Sequence, residues 1–465
     1  MSSAAVPEEF DSIQYGGCTL RSAFQPIFSF SHRRLVGHEA LLRPVDASGR
    51  PVPPPTLFQR CASVQELRDL DHACSLLHAR GFARDVESPQ WLFLNVDASA
   101  FSACGPRGAV APMLDVVGKA GLLPSQTVIE LLEAALPDGP EFEHWIEALK
   151  QQGFLIALDD FGAGHSNFDR VFRLRPHIVK LDRGVIARAA TDTTVSRVMA
   201  QMISLLHECG AQVLIEGVET AEEAMIALDS DADFVQGYHF GRPQRALRRP
   251  GEHSVQMADV WARCDERSRL ERQADARRVE PYAQALMQAR VLLQAGLPMH
   301  EACAAFIGLA EADLCYLLDS EGIVVAQNVI QRQRPTRAVT CNQFAPLLDV
   351  RNARWSRRPY FRRALEAPGE LQVTRPYPTM HSRRMSATLS VCFVLNGATL
   401  VLCGDLLWPS NDAQPGPPDA PALPMLPGSK ALPALPVAPA AVSAPGMAST
   451  ATPIPTNGAV AGQWP

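Results

Sequence analysis

The chain has 465 residues, 47% of them apolar and 20% charged. That is enough apolar content for two or three domains with buried cores, and it excludes a wholly disordered or collagen-like chain. The formal net charge of −6 weighs against a duplex nucleic-acid binder, a class that carries a basic face and a high pI. Eleven cysteines are dispersed with no C-x-x-C pair, which reads as reduced thiols, not a disulfide frame or zinc ribbon. The first residues lack a signal-peptide plan, and no stretch of about 20 apolar residues predicts a membrane span. These features predict a cytoplasmic protein.

In chain order, residues 1–20 read as an N-terminal extension. Over 21–247, short apolar runs recur at 23–28, 36–42, 91–96, 127–132, 155–158, 178–181, 213–215 and 233–238, alternating with helical stretches such as 195–207 and 221–228. Seven or eight strands interleaved with helices over this length predict an α/β barrel. Residues 248–298 read as a helical connector. In it, 255–278 mixes charge signs, with Asp265/Arg269 and Arg267/Glu271 spaced for i,i+4 pairs, and an apolar helical run covers 283–293 after Pro281. Residues 299–408 read as a smaller α+β domain. Its hairpins are expected at 314–318 with 323–326, and at 391–395 with 399–402 around Asn396-Gly397, with a helix near 360–365. Residues 409–465 hold fourteen of the 38 prolines, and so few charges and large apolar residues that a disordered tail is expected.

The informative feature of the first region is what closes its strands: Glu39, Asn95, Glu130, Asp159 with Asp160, Lys180 with Asp182, Glu216 and Gln236. Burying one unpaired carboxylate is costly, but acids or amides on seven strands point to convergence on a barrel mouth, where barrel enzymes place their chemistry. The donors are oxygens with no Cys or His in register, which selects Mg²⁺ or Mn²⁺ over zinc. Adjacent aspartates suit two ions about 3.5–4 Å apart and in-line displacement at phosphorus. Lys180 either holds the nucleophilic water and developing charge or pairs with Asp182.

These motifs resemble the EAL-domain cyclic-di-GMP phosphodiesterases. The resemblance runs in order through Gln25-Pro-Ile, Glu39-Ala-Leu with Arg43, Asn95, Glu130-Leu-Leu-Glu133, Asp159-Asp-Phe-Gly-Ala-Gly164, Lys180-Leu-Asp182, Glu216-Gly-Val-Glu219 and Gln236-Gly-Tyr. It implies a modified TIM-type (β/α)8 barrel with one antiparallel strand, two Mg²⁺ or Mn²⁺ ions, and hydrolysis of cyclic di-GMP to linear pGpG. It further implies that Glu39, Asn95, Glu130 and Asp159 hold one metal. Asp159, Asp160 and Glu216 would hold the other. Lys180 would orient water; Gln25, Arg43, Asp182 and Gln236 would meet the nucleotide. Glu219 would support the ligands, and Glu133 would anchor the loop of Phe161, Gly162 and Gly164. A homodimer is also expected. The chain departs from the family pattern at Leu132, His165, Asn167 and Ile215; none is a metal ligand, and at these positions the resemblance does not fix loop anchoring, dimer coupling or rate. The rival reading is a weak or inactive domain that acts as a cyclic-di-GMP receptor or interaction module.

Residues 299–408 resemble a PAS/Cache-like sensory module through Trp355, Arg358-Pro-Tyr360, Tyr377 and Asp405. These five would wall a pocket for an unidentified small-molecule or protein signal; an ordinary core with surface arginines is the alternative.

Overall fold

The computed structural model describes residues 12–409 apart from 87–88, 99–109, 138, 165–167, 249–253, 326–328, 331–352 and 379–384. A three-stranded sheet joins β1 (Ile13–Tyr15), β2 (Cys18–Leu20) and β5 (Val45–Asp46). The first two of these strands fall where the sequence suggested an extension. Leu20 and Cys18 are buried with Leu57, Leu70 and Leu77, so this edge is a small apolar cluster that closes one side of the fold.

Strands β3 (Ser22–Ser29), β4 (Arg34–Leu42), β6 (Trp91–Asn95), β7 (Thr127–Leu132), β8 (Leu155–Phe161), β9 (Ile178–Leu181), β10 (Gln212–Ile215) and β11 (Phe234–Val235) close into an eight-stranded barrel. Strand β3 runs antiparallel to both neighbours, β4 and β11, while β4 through β11 are parallel. This is the expected modified barrel. Around it lie α1 (Pro54–Phe58), α2 (Val64–Asp85), α3 (Ala111–Ala120), α4 (Pro140–Gln151), α5 (Phe168–Leu174), α6 (Arg183–Ala189), α7 (Thr193–Glu208) and α8 (Ala221–Asp229). Several starts are written in the sequence: Ser63, Asp192 and Thr220 each cap a helix through a side-chain oxygen, Thr220 with Glu223 in a capping box. Strand β11 is shorter than its apolar run suggested. Gly237 follows it with no room for a Cβ against the Val218 backbone, and the chain turns there.

The next element, α9, is one unbroken helix, Ser254–Gln294, that passes straight through Pro281. Its first turns bury Met257 and Val260 in the barrel's outer core, and Trp261 Nε1 donates to the Phe30 carbonyl at 3.1 Å. Arg267 reaches Glu222 at 3.2 Å and also Asp229, both on α8, while Arg269 pairs with Glu266. The anticipated Arg267/Glu271 pair therefore gives way to a tertiary contact, and Asp265/Arg269 to a local i,i+3 pair. Residues 269–278 are exposed all round. Beyond them Tyr282, Leu286, Ala289 and Leu293 enter a second core.

That core belongs to a sheet ordered β13-β12-β17-β16-β14, with β15 also on β16. Its strands are β12 (Ala312–Asp319), β13 (Val329–Ile330), β14 (Gln372–Val373), β15 (Tyr377–Pro378), β16 (Met385–Leu395) and β17 (Ala398–Leu407). Short helices α10 (Met299–Ala302) and α11 (Ala304–Ile307) precede it, and α12 (Pro359–Glu366) follows β13. Alternation sorts the faces: Ala387, Leu389, Val391 and Leu402 pack with α9, whereas Tyr316, Cys392, Val401 and Cys403 pack with Tyr360 and Phe361 of α12. Asn396 and Gly397 turn β16 into β17 with φ of 48° and 79°, as the dipeptide suggested. The other expected hairpin forms as well: Leu318 and Val324 bridge antiparallel, Val325 N donates to the Leu317 carbonyl and Asp319 N to the Ile323 carbonyl, each at 2.9 Å. Within its turn the Asp319 carboxylate accepts the amides of Glu321 and Ile323, each at 2.9 Å, and β12 further pairs with β13.

Asp405 lies buried on β17, and burial lifts its carboxyl from 3.8 to about 7, against the opposing bond from Thr388. A carboxyl with a raised folded value holds its proton more tightly when folded, so it stabilises at low pH and loses that contribution as pH rises from about 4 to about 7. Asp71 acts in the same sense. His38 and His78, each lowered to about 4 by burial, act in the opposite sense across the same window, so the test is a difference. In urea unfolding from about pH 4 to 7, Asp405→Asn should remove one component that falls with pH and shift the slope of stability against pH upward relative to the parent.

Candidate active site

One inward residue from each of seven strands, Ile27, Phe93, Val128, Ala157, Ile178, Leu214 and Phe234, packs into an apolar floor across the barrel. Side chains two residues apart on a strand share a face. Two residues further along the parallel strands therefore stand Asn95, Glu130, Asp159, Lys180, Glu216 and Gln236. On β3, which runs the other way, the offset reverses and Gln25 precedes Ile27. Glu39 lies beside Gln25 in register. Two residues before it, Gly37 leaves the space that the Phe93 ring fills; a Cβ there would lie 2.7 Å from the Trp91 carbonyl oxygen.

Lys180 is the centre of this polar layer, with 1% side-chain exposure. Its Nζ lies 2.6 Å from Glu130 Oε1, 2.6 Å from Glu216 Oε1, 3.1 Å from Asp159 Oδ1 and 3.7 Å from Glu39 Oε2. Lys180 Nζ and both Glu130 oxygens lack a hydrogen-bond partner of good alignment among the described residues, so the four approaches are charge contacts. Burial would lower the ammonium's pKa, but Asp159, Glu130, Glu216 and Glu39 together hold it well above its ordinary value. Burial, with Glu39 and Asp159 as further like charges, lifts Glu130 well above the carboxylate range despite Lys180. Glu216 rises to about 8, first from burial and then from Asp159 and Glu39, again against Lys180. Asn95 Nδ2 and Gln236 Nε2 donate to the two oxygens of Glu39 at 3.0 and 2.6 Å.

Five carboxylates, those of Glu39, Glu130, Asp159, Asp160 and Glu216, thus meet one ammonium. Carboxyl oxygens of Asp159, Asp160 and Glu216 lie within 4.8 Å of one another. Burial and the neighbouring Asp159 and Asp182 raise Asp160 as well, and its backbone sits at φ 57°, an uncommon left-handed conformation for a residue other than glycine. Gly162 follows at φ 97°, where a Cβ would strike Val185. Both Glu130 oxygens and Gln236 Oε1 are buried without a hydrogen-bond partner among the described residues. An all-oxygen donor set with excess negative charge and orphaned acceptors fits a hard divalent cation.

Other residues singled out in the sequence are spread around this layer. Asp182 makes no pair with Lys180; it caps α6, accepting from Gly184 N at 2.8 Å. Gln25 Nε2 donates to the Gly241 carbonyl at 3.3 Å, and Arg43 is exposed, with its Nη1 donating to the adjacent Leu42 carbonyl at 3.0 Å. Glu133 is buried just past β7, and its carbonyl accepts from Arg170. Phe161 is buried edge-to-face on Phe168. Gly164 ends the described part of its loop, and His165 and Asn167 lie outside the described residues. Glu219 is bridged by Arg183 at 3.1 Å, a partner that the motif reading passed over. The apolar floor was passed over too, although its signal was present as an apolar residue two places before each polar one.

On the distant sheet, Arg358 lies 5.6 Å over the Trp355 ring. Tyr360 stands edge-to-face on Tyr316. Tyr377 Oη lies 2.6 Å from Thr388 Oγ1, which donates to Asp405 Oδ1 at 2.7 Å. These five residues are far in sequence from the barrel's polar layer and form a separate group.

Residues 12–243 match the family model described as the EAL domain. Curated relatives include the signaling protein YkoW of Bacillus subtilis (26% identical over 229 residues, 47% of this chain and 28% of that protein). Another is the cyclic di-GMP phosphodiesterase RocR of Pseudomonas aeruginosa (27% over 227 residues, 47% of this chain and 56% of that protein). The chain thus spans less than two thirds of either relative. The crystal structure of the Bacillus subtilis YkuI protein, which has an EAL domain and is complexed with c-di-GMP and calcium, superposes with a TM-score of 0.70 at 19% identity. It covers 84% of this chain and 96% of that one, a likeness of fold that reaches beyond the barrel.

If the polar layer takes a divalent cation, adding Mn²⁺ to chelator-treated protein should raise its melting temperature, by the equivalent of about 2.7 kcal/mol at 100 times the dissociation constant. Glu130→Gln with Asp159→Asn should remove that rise. Calorimetry without substrate reads this directly, and an unchanged rise in the double variant would place the cation elsewhere.

Proposed function

Residues 12–243 of this chain are an EAL domain, and from that premise we propose that the barrel hydrolyses cyclic di-GMP to linear pGpG. The observation that carries the reading is the buried Lys180 ammonium ringed by Glu39, Glu130, Asp159 and Glu216. A salt bridge built only for stability would need one partner. Four acids around one lysine, with Asp160 beside them, form a site charged for a cation and a phosphodiester.

In this reading Glu39, Asn95, Glu130 and Asp159 would hold one Mg²⁺ or Mn²⁺, and Asp159, Asp160 and Glu216 a second. Such ions polarise a phosphodiester and offset the acids' charge. Lys180, kept protonated at Nζ by its four acids, orients an attacking water and neutralises charge that grows on the phosphoryl oxygens. Glu216 Oε1 and Glu130 Oε1, each 2.6 Å from that nitrogen, fix its position. Asn95 and Gln236 hold Glu39 by both oxygens, so the carboxylate cannot swing. The apolar floor keeps water from reaching the site from below. Gln25, Arg43 and Asp182 would meet the nucleotide at the rim, with Glu219 and Glu133 supporting the ligands and the loop. The C-terminal PAS/Cache-like sheet regulates turnover through α9, with Trp355, Arg358, Tyr360, Tyr377 and Asp405 as its signal site.

Purified protein given cyclic di-GMP with Mg²⁺ or Mn²⁺ should yield pGpG by chromatography, and chelation should stop it. Lys180→Ala and Glu39→Ala should each cut turnover on the order of 10²-fold or more. Tight nucleotide binding with no product in either metal would replace this reading with that of a receptor.

A further inference from the structure

Residues 299–408 contain twelve arginines and no lysine. Six of the arginines, Arg354, Arg357, Arg358, Arg362, Arg363 and Arg375, lie among the described residues, and all six are exposed. Five of them fall within the ten residues 354–363, a stretch that holds no acid. Helix α12 buries Tyr360, Phe361 and Ala364 against the sheet, which leaves Arg362 and Arg363 on its outer side. Strand β14 packs beside the helix, adding Val373, 38% exposed, with Arg375 two residues on.

What sets this face apart is the density of its arginines, with Glu366 and Glu370 the acids that follow them. Some exposed arginines elsewhere pair with acids, as Arg173 with Glu143, Arg263 with Asp259 and Arg269 with Glu266. On this face, among the described residues, only Arg354 has an acidic partner, Glu321; Arg358 lies over the Trp355 ring instead. Arginine without lysine favours oxyanions such as phosphate, two of whose oxygens its planar fork engages through paired hydrogen bonds. A long nucleic-acid polyanion is the poorer match, because residues 1–247 carry 31 acids against 21 basic side chains and would repel a strand running past the patch. A bilayer meets only the face turned toward it. The half-buried Trp355 and exposed Val373 among the arginines suit the headgroup boundary, where aromatic and apolar groups settle beside basic ones.

We propose that the face formed by α12 and β14 docks on an anionic phospholipid surface and holds the protein at the membrane periphery. Peripheral attachment accords with the absence, among the described residues, of any helix long and apolar enough to cross a membrane. The inference is independent of the barrel's chemistry.

Co-sedimentation of the full chain with vesicles tests it. Vesicles with roughly 30% phosphatidylglycerol should bind on the order of tenfold more protein than pure phosphatidylcholine, and about 0.5 M salt should release it. Arg362→Glu with Arg363→Glu should lower binding on the order of tenfold or more; reversal of a distant charge, Arg50→Glu, should leave it unchanged. Circular dichroism confirms that each variant is folded, and if the reversal pair does not fold, Arg362→Ala with Arg363→Ala carries the test with a smaller loss in the same direction. Equal binding to neutral and anionic vesicles would overturn the proposal, as would a folded reversal variant that binds like the parent. Retention of a single-stranded oligonucleotide through Arg362 and Arg363, with no vesicle binding, would also overturn it.

Discussion

An ammonium taken fully out of water loses hydration worth several kcal/mol, and Lys180 has lost nearly all of its own. The barrel can close around it only if carboxylates arrive from several directions at once, and this requirement reaches back into the strand register. Glu130 comes from β7, Asp159 from β8, Glu216 from the end of β10 and Glu39 from β4. A slip of one residue in any of these strands would turn its acid out of the barrel and push its floor residue after it. The apolar floor and the charged layer are thus one device, since alternation places them together. Burial first, and then the neighbouring acids that outnumber the lysine, raise the proton affinities of Glu130, Glu216 and Asp160.

Much of this was legible in the sequence, for a physical reason. Buried parallel strands are short apolar runs, so a polar residue closing such a run stands out, and seven closings in order identified the layer. The reversed direction of β3 was not legible from its residues, because an apolar strand reads alike in either direction; it came only with the family resemblance. Strands β1, β2 and β5 were missed because two or three residues hold no period to detect. Strand β11 ends at Val235, and Gly237 lies against the Val218 backbone with no room for a Cβ, a contact that no local pattern encodes. The choice between Asp182 and the acid ring for Lys180 also needed coordinates, since residues two apart share a strand face yet Asp182 turns away to cap a helix.

The C-terminal sheet shows the same division. Asn396-Gly397 announces one turn and Asp319-Ser-Glu-Gly322 the other, whereas the further pairing of β12 with β13 was not legible in either motif. On α9, Arg267 found acids on α8 instead of Glu271, and Arg269 took Glu266 instead of Asp265. Pairs at i,i+4 are worth only a few tenths of a kcal/mol, so a tertiary partner readily displaces them.

Helix α9 carries one more implication. Its two ends are committed to different cores, and residues 269–278 between them are exposed, with Arg278 at the far end lying 5.4 Å from the Trp408 ring. Each residue in a helix advances the azimuth by about 100°, so the sheet and the barrel are meshed like two gears keyed to one shaft. Chain length in that bare stretch is free to change only in steps that approximate whole turns. Deleting one residue would leave every side chain intact and still present the sheet with the wrong face of the helix.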